Sequence, residues 1–139
     1  MVQTASDQRD KLSLQGLLLG FIKFAHDNGN TSFPPFESHF WNDFLFLLQS
    51  EYSNKFPELD CIGKFDWDGI HPKCREFNMA MFGLRYQCYS KTAKGRVLLN
   101  TDARNDDGPL AIPSLGRHHP KLAKKVLEIA ISIPGFFEE

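Results

Sequence analysis

The stretch from Phe65 to Leu99 limits most tightly what this chain can become. It opens on a polar turn, Phe65-Asp66-Trp67-Asp68-Gly69, passes through a helical run and ends in two short strand-like segments around Lys94-Gly95. Proline suits the first position of a helix, so Pro72 predicts a helix over residues 72–86. Cys74, Phe77, Met81 and Leu84 form one apolar line on it, and Met79, Phe82 and Tyr86 form a second. A helix apolar on two sides is normally central and buried. Ala80 and Gly83 make a third line, small enough to let another element come close. Residues 88–92 and 96–100 then read as a hairpin. With Lys94-Gly95 as its turn, Val97 and Leu99 share a face with Cys88, Ser90 and Thr92. Leu98 faces the other way with Tyr89 and Lys91, because strand side chains alternate.

The flanks are helical. Leu14, Leu17, Leu18, Phe21, Ile22 and Ala25 recur at helical spacing and predict a helix over 11–28. Asn28-Gly29 stops it, since both residues tolerate the left-handed conformation. Gly16 and Gly20, one turn apart, point to a close crossing by another element. A second helix is expected over 36–54. Phe40, Trp41, Phe44, Leu45, Leu47, Leu48 and Tyr52 form its apolar stripe. Phe46 falls instead among Asn42, Asp43, Gln49 and Ser50, and is expected to face water or a partner. Residues 55–71 form a long connection pinned by apolar side chains. Residues 101–119 form a polar loop, and a last helix covers 120–133. The whole reads as α+β, mainly α: helix-helix-helix-β-hairpin-helix, a winged-helix-like single domain over 11–139 behind a flexible tail, 1–10.

A chain of 139 residues buries enough surface to fold without disulfide or metal. Thirteen phenylalanines predict a core of edge-to-face rings. Cys61, Cys74 and Cys88 are odd in number and widely spaced, which argues for reduced thiols and a cytoplasmic location. No apolar run reaches membrane-spanning length. Leu14 to Phe24 reads as an internal helix, because Gln15 and Lys23 interrupt it.

Phe65-Asp66-Trp67-Asp68-Gly69 resembles the first motif of the haloacid dehalogenase phosphatases. The resemblance implies a doubly wound α/β domain in which Asp66 attacks phosphorus and Asp68 serves as acid and base. It covers five residues. The chain departs from that pattern in having Gly63-Lys64 where an apolar strand belongs, and in lacking alternating strands and helices. Read from the residues alone, Asp66 and Asp68 accept hydrogen bonds in a turn closed by Gly69, with Trp67 packed inward. Neither Gly69 nor Gly108 anchors a calcium loop, because Lys64 and Ala103 occupy the first ligand position.

His71 and Cys74, three residues apart at the predicted helix start, are the one arrangement that can activate a thiol. Asp66, Asp68, His71 and Cys74 are therefore the candidate catalytic residues. Cys61, Cys74, Cys88 and His71 have zinc-ligand chemistry but no Cys-x-x-Cys spacing, so neither metal nor cofactor is assigned.

Charge is uneven. Residues 1–69 hold 5 Lys and Arg against 10 Asp and Glu, and residues 70–139 hold 11 against 7. Either the basic half offers a binding face or the two halves attract each other within the fold. Lys91, Lys94 and Arg96 at the hairpin suit phosphate contact. Arg117, His118, His119, Lys121, Lys124 and Lys125 gather about the start of the last helix, where amide groups favour anions. The functional reading is a non-enzymatic interaction or regulatory module, contacting nucleic acid or another anionic partner, or pairing as a homodimer through Phe46. The alternative is a small enzyme built on Asp66, Asp68, His71 and Cys74.

Overall fold

The computed structural model describes residues 12–84, 88–90, 96–99 and 114–137. The expected tail, the tips of the hairpin around Lys91 and Lys94, and most of the 101–119 loop lie outside these residues. The architecture is mixed and mainly helical, with small antiparallel sheets. In chain order it runs α1 (Leu14–Asp27), α2 (His39–Tyr52), a 3-10 helix (Pro57–Ile62), β1 (Phe65–Asp68), β2 (His71–Cys74), α3 (Phe77–Leu84), β3 (Cys88–Ser90), β4 (Val97–Leu99), α4 (Leu115–His118) and α5 (Pro120–Ser132). β1 pairs with β2 and β3 with β4, each as a separate two-stranded sheet.

Local chemistry sets these boundaries. Ser13 caps α1, its Oγ accepting from the Gly16 N–H at 3.0 Å. The helix ends at Asn28, and Gly29 takes the left-handed turn at φ 94°. α1 carries the core: Leu17, Leu18, Phe21 and Ile22 are fully buried. Phe21 sits in an aromatic cluster with Phe33, Trp41, Phe44 and Phe136, ring centroids 4.9–6.2 Å away. Edge-on geometry dominates, as the ring quadrupole favours. Trp41 satisfies its indole by donating to the Pro34 carbonyl at 2.8 Å.

The close crossings fall where small residues permit them. A Cβ on Gly20 would sit 3.2 Å from the Leu115 backbone nitrogen, so α4 approaches α1 there. Gly83 lies against the side chain of Gln15, so α3 meets α1 along the line that Ala80 and Gly83 marked. Gly16 serves the α1 cap instead of a crossing.

The main departure from expectation lies at Pro72. No helix begins there: Pro72 sits in β2, and α3 starts at Phe77. Residues 65–74 form a hairpin that pairs Phe65 with Cys74, Asp66 with Lys73, Trp67 with Pro72 and Asp68 with His71. Gly69, at φ 67°, is the first of two turn residues, a position that demands positive φ. Proline is tolerated because every strand of a two-stranded sheet is an edge. The second hairpin forms as expected in its faces: Cys88, Val97 and Leu99 are buried together. Its register is two residues tighter than a Lys94-Gly95 turn would give, with Leu99 opposite Cys88. Phe33 adds a bridge to Val97, exchanging hydrogen bonds of 2.9 and 2.8 Å.

The described strands form no parallel sheet. The doubly wound fold implied by the Phe65–Gly69 resemblance is therefore not found among them.

Candidate functional site

The residues singled out between Asp66 and Cys74 share the β1–β2 hairpin, which packs on α2, but not one face of it: Asp66 is exposed and Cys74 is buried. Three hydrogen bonds tie the hairpin and the residues leading into it to α2 and to each other. The Asn42 Oδ1 accepts from the Cys74 N–H at 2.7 Å. The Cys74 thiol donates to the Ile62 carbonyl at 3.2 Å. Gln49 donates through Nε2 to the Gly63 carbonyl. Asn42 and Gln49 belong to the polar face of α2, so that face is used to dock the hairpin.

Phe46 lies beneath the same hairpin. It is half-buried, edge-on to Phe65 at 5.3 Å and to Trp67 at 5.2 Å. The expectation that it faces water or a partner directly is corrected: β1 covers it. Trp67 in turn does not pack inward. It is 59% exposed, and Ile70 in the turn is 84% exposed.

Of the four candidate catalytic residues, Asp66, His71 and Cys74 are engaged in other contacts. Asp66 accepts a bidentate hydrogen bond from Arg75, at 2.8–3.0 Å, in place of the expected turn bonds. Those bonds hold its carboxyl below the ordinary 3.8. A carboxylate so held is a poor general base. Cys74 ends strand β2, three residues before α3 begins, and is buried. Burial pushes its thiol above the usual 9.0, the reverse of nucleophilic activation. Burial likewise pushes Cys61 and Cys88 up to about 12. Asp68 stands opposite His71 in the strand register.

His71 reaches across to α2. Its Nδ1 lies 3.5 Å from the Asp43 Oδ1, and the Nε2 of His39 lies 3.9 Å from the Asp43 Oδ2. The two imidazoles stack at 4.5 Å between centroids, 28° from parallel. Among the described residues, these are the one set of three His, Cys, Asp or Glu ligand atoms within 4.8 Å of one another. The Cys61, Cys74, Cys88 and His71 combination is not such a set. His39 and Asp43 sit one helical turn apart, the i,i+4 spacing that aligns side chains. That signal is visible in the sequence, but their partner His71 is 28 positions on from Asp43 and becomes evident only with the hairpin.

The basic residues scatter. Arg96 is buried, at 4% exposure, and donates to Ser32 Oγ at 2.9 Å and to the carbonyls of Ser32 and Phe136 at 3.1 and 2.9 Å. It is a structural residue, and its expected phosphate contact is corrected accordingly. His119 is half-buried against Glu58, 3.3 Å away. Lys125 lies over the Tyr52 ring and bonds Glu128. Arg117, His118, Lys121 and Lys124 remain exposed. No protein family model, curated protein or solved structure matches the chain.

Proposed function

We propose that this chain is a non-enzymatic interaction module whose binding face is the β1–β2 hairpin. The observation that carries this reading is the exposure of Trp67 and Ile70 at the end of a hairpin tethered to α2. Large apolar side chains held in water on a fixed element are what an interface uses, and tryptophan is the commonest kind of anchor. Phe46 gives Trp67 a rigid floor. The raised thiols and the committed Asp66 weigh against the enzyme alternative.

The partner we propose is a second copy of the chain, since two-fold pairing is the commonest assembly. Burying Trp67 and Ile70 would contribute roughly 1.5–3 kcal/mol each. Sedimentation should show a wild-type dimer, and Trp67→Ser/Ile70→Ser should sediment as a monomer with unchanged helicity. A wild type that stays monomeric up to about 1 mM, the range of the weakest specific binding, would remove the homodimer.

An anionic partner, nucleic acid included, is the second reading, and it narrows to Arg117, His118, Lys121 and Lys124. Their exposure near the start of α5 supports it. The succession of α3 and then β3–β4 supports a winged-helix-like arrangement, although a 3-10 helix and the β1–β2 hairpin stand between α2 and α3. Docking of α3 in a DNA groove has little support, because α3 is eight residues long and exposes Met79 and Phe82.

A further inference from the structure

We propose that His39, Asp43 and His71 form a binding site for a first-row transition-metal ion of the zinc type. Separations of 3.5 and 3.9 Å are long for hydrogen bonds between these groups. Each runs to a different oxygen of the Asp43 carboxylate, and taking one ligand atom from each residue, all three atoms lie within 4.8 Å of one another, near the spacing of ligands on one ion. With ligand arms of about 2.0–2.1 Å, the edge of a tetrahedron is about 3.3 Å. Closing the difference requires His39, which is half-exposed, to shift within its stack between Phe40 and His71.

The donor set decides the kind of ion. Two imidazole nitrogens and one carboxylate suit zinc, cobalt, nickel and iron(II). Calcium and magnesium want oxygen ligands throughout. Three protein ligands leave at least one position open, and the solvent-facing rings let water or an external donor fill it. The backbone placement of the three residues is set before any ion arrives. The Asn42–Cys74 hydrogen bond fixes β2 on α2 one residue from Asp43 and three from His71. The stacking of the two rings holds their edges beside the same carboxylate. A bound ion would clamp the start of α2 to the hairpin, joining residues 39 and 71.

The test uses the untagged full chain. Calorimetric titration with zinc chloride should give one site per chain. His39→Ala, Asp43→Asn and His71→Ala should each weaken it at least tenfold, and His26→Ala should leave it unchanged. Cobalt(II) should produce visible ligand-field bands without a thiolate charge-transfer band. In the wild-type chain, zinc should shift the ring NMR signals of His39 and His71, a readout that needs no variant to fold. Absence of binding up to about 1 mM zinc, a thiolate band, ring shifts confined to other histidines, or a site that survives all three substitutions would each overturn the proposal.

Discussion

Arg96 shows how a single residue's role can invert between sequence and fold. On the sequence it sits beside a hairpin turn with Lys91 and Lys94, and a cation there reads as a phosphate contact. In the fold its guanidinium is enclosed and joins the loop at Ser32 to the C-terminal segment at Phe136. Arginine alone offers five donors in a planar fork, and three of its contacts are used across segments 64 and 40 residues away. No local pattern encodes those partners. Arg96→Met keeps the stem and removes the donors, leaving buried acceptors without them. Hydrogen bonds to a charged group are worth about 1.5–3 kcal/mol each, with strong sharing between them. We expect a loss of about 2–4 kcal/mol in urea unfolding. A variant as stable as the wild type would show that these contacts contribute nothing net. The same expectation rules out any Arg96 substitution as a clean probe of nucleic-acid binding.

At the scale of elements, periodicity located α1, α2, β3–β4 and α5 because each buries a stripe of its own residues. It failed at β1–β2. Phe65, Trp67, Pro72 and Cys74 alternate with polar residues around Gly69-Ile70, which is the hairpin pattern. Pro72 masked it by offering an equally good helix start. The hairpin's stability comes from α2, through contacts that only the fold reveals. Asn42 is the decisive one, since it satisfies a backbone N–H that β1 cannot. Asn42→Ala should cost about 1–2 kcal/mol, the penalty for a polar group left unpaired. Its signature should be local: amide exchange should quicken in residues 65–74 and hold steady in α1. Equal acceleration throughout the chain would mean that the hairpin does not open as a separate unit.

At the scale of the molecule, a few polar contacts join the acidic half of the chain to the basic half. Asp43 with His71, Asp66 with Arg75, and Glu58 with His119 each join an acidic residue of the first half to a basic one of the second. The sequence showed that the halves are complementary, but not which residues meet, because that depends on the hairpin crossing α2. Exposed about the start of α5 is the group Arg117, His118, Lys121 and Lys124. If this group holds a polyanion, its contacts release counterions, and log affinity falls linearly with log salt, at roughly 0.7–0.9 per phosphate neutralised. Lys121→Ala/Lys124→Ala removes two exposed cations and touches no described internal contact. The pair should therefore flatten the salt slope by roughly 1.4–1.8 while leaving unfolding unchanged. Fluorescence anisotropy with a labelled oligonucleotide across a salt series measures both affinity and slope. Binding that is absent at about 50 mM salt, where such contacts are strong, or a slope unmoved by the double substitution, would end the anionic-partner reading and leave the hairpin as the binding face to pursue.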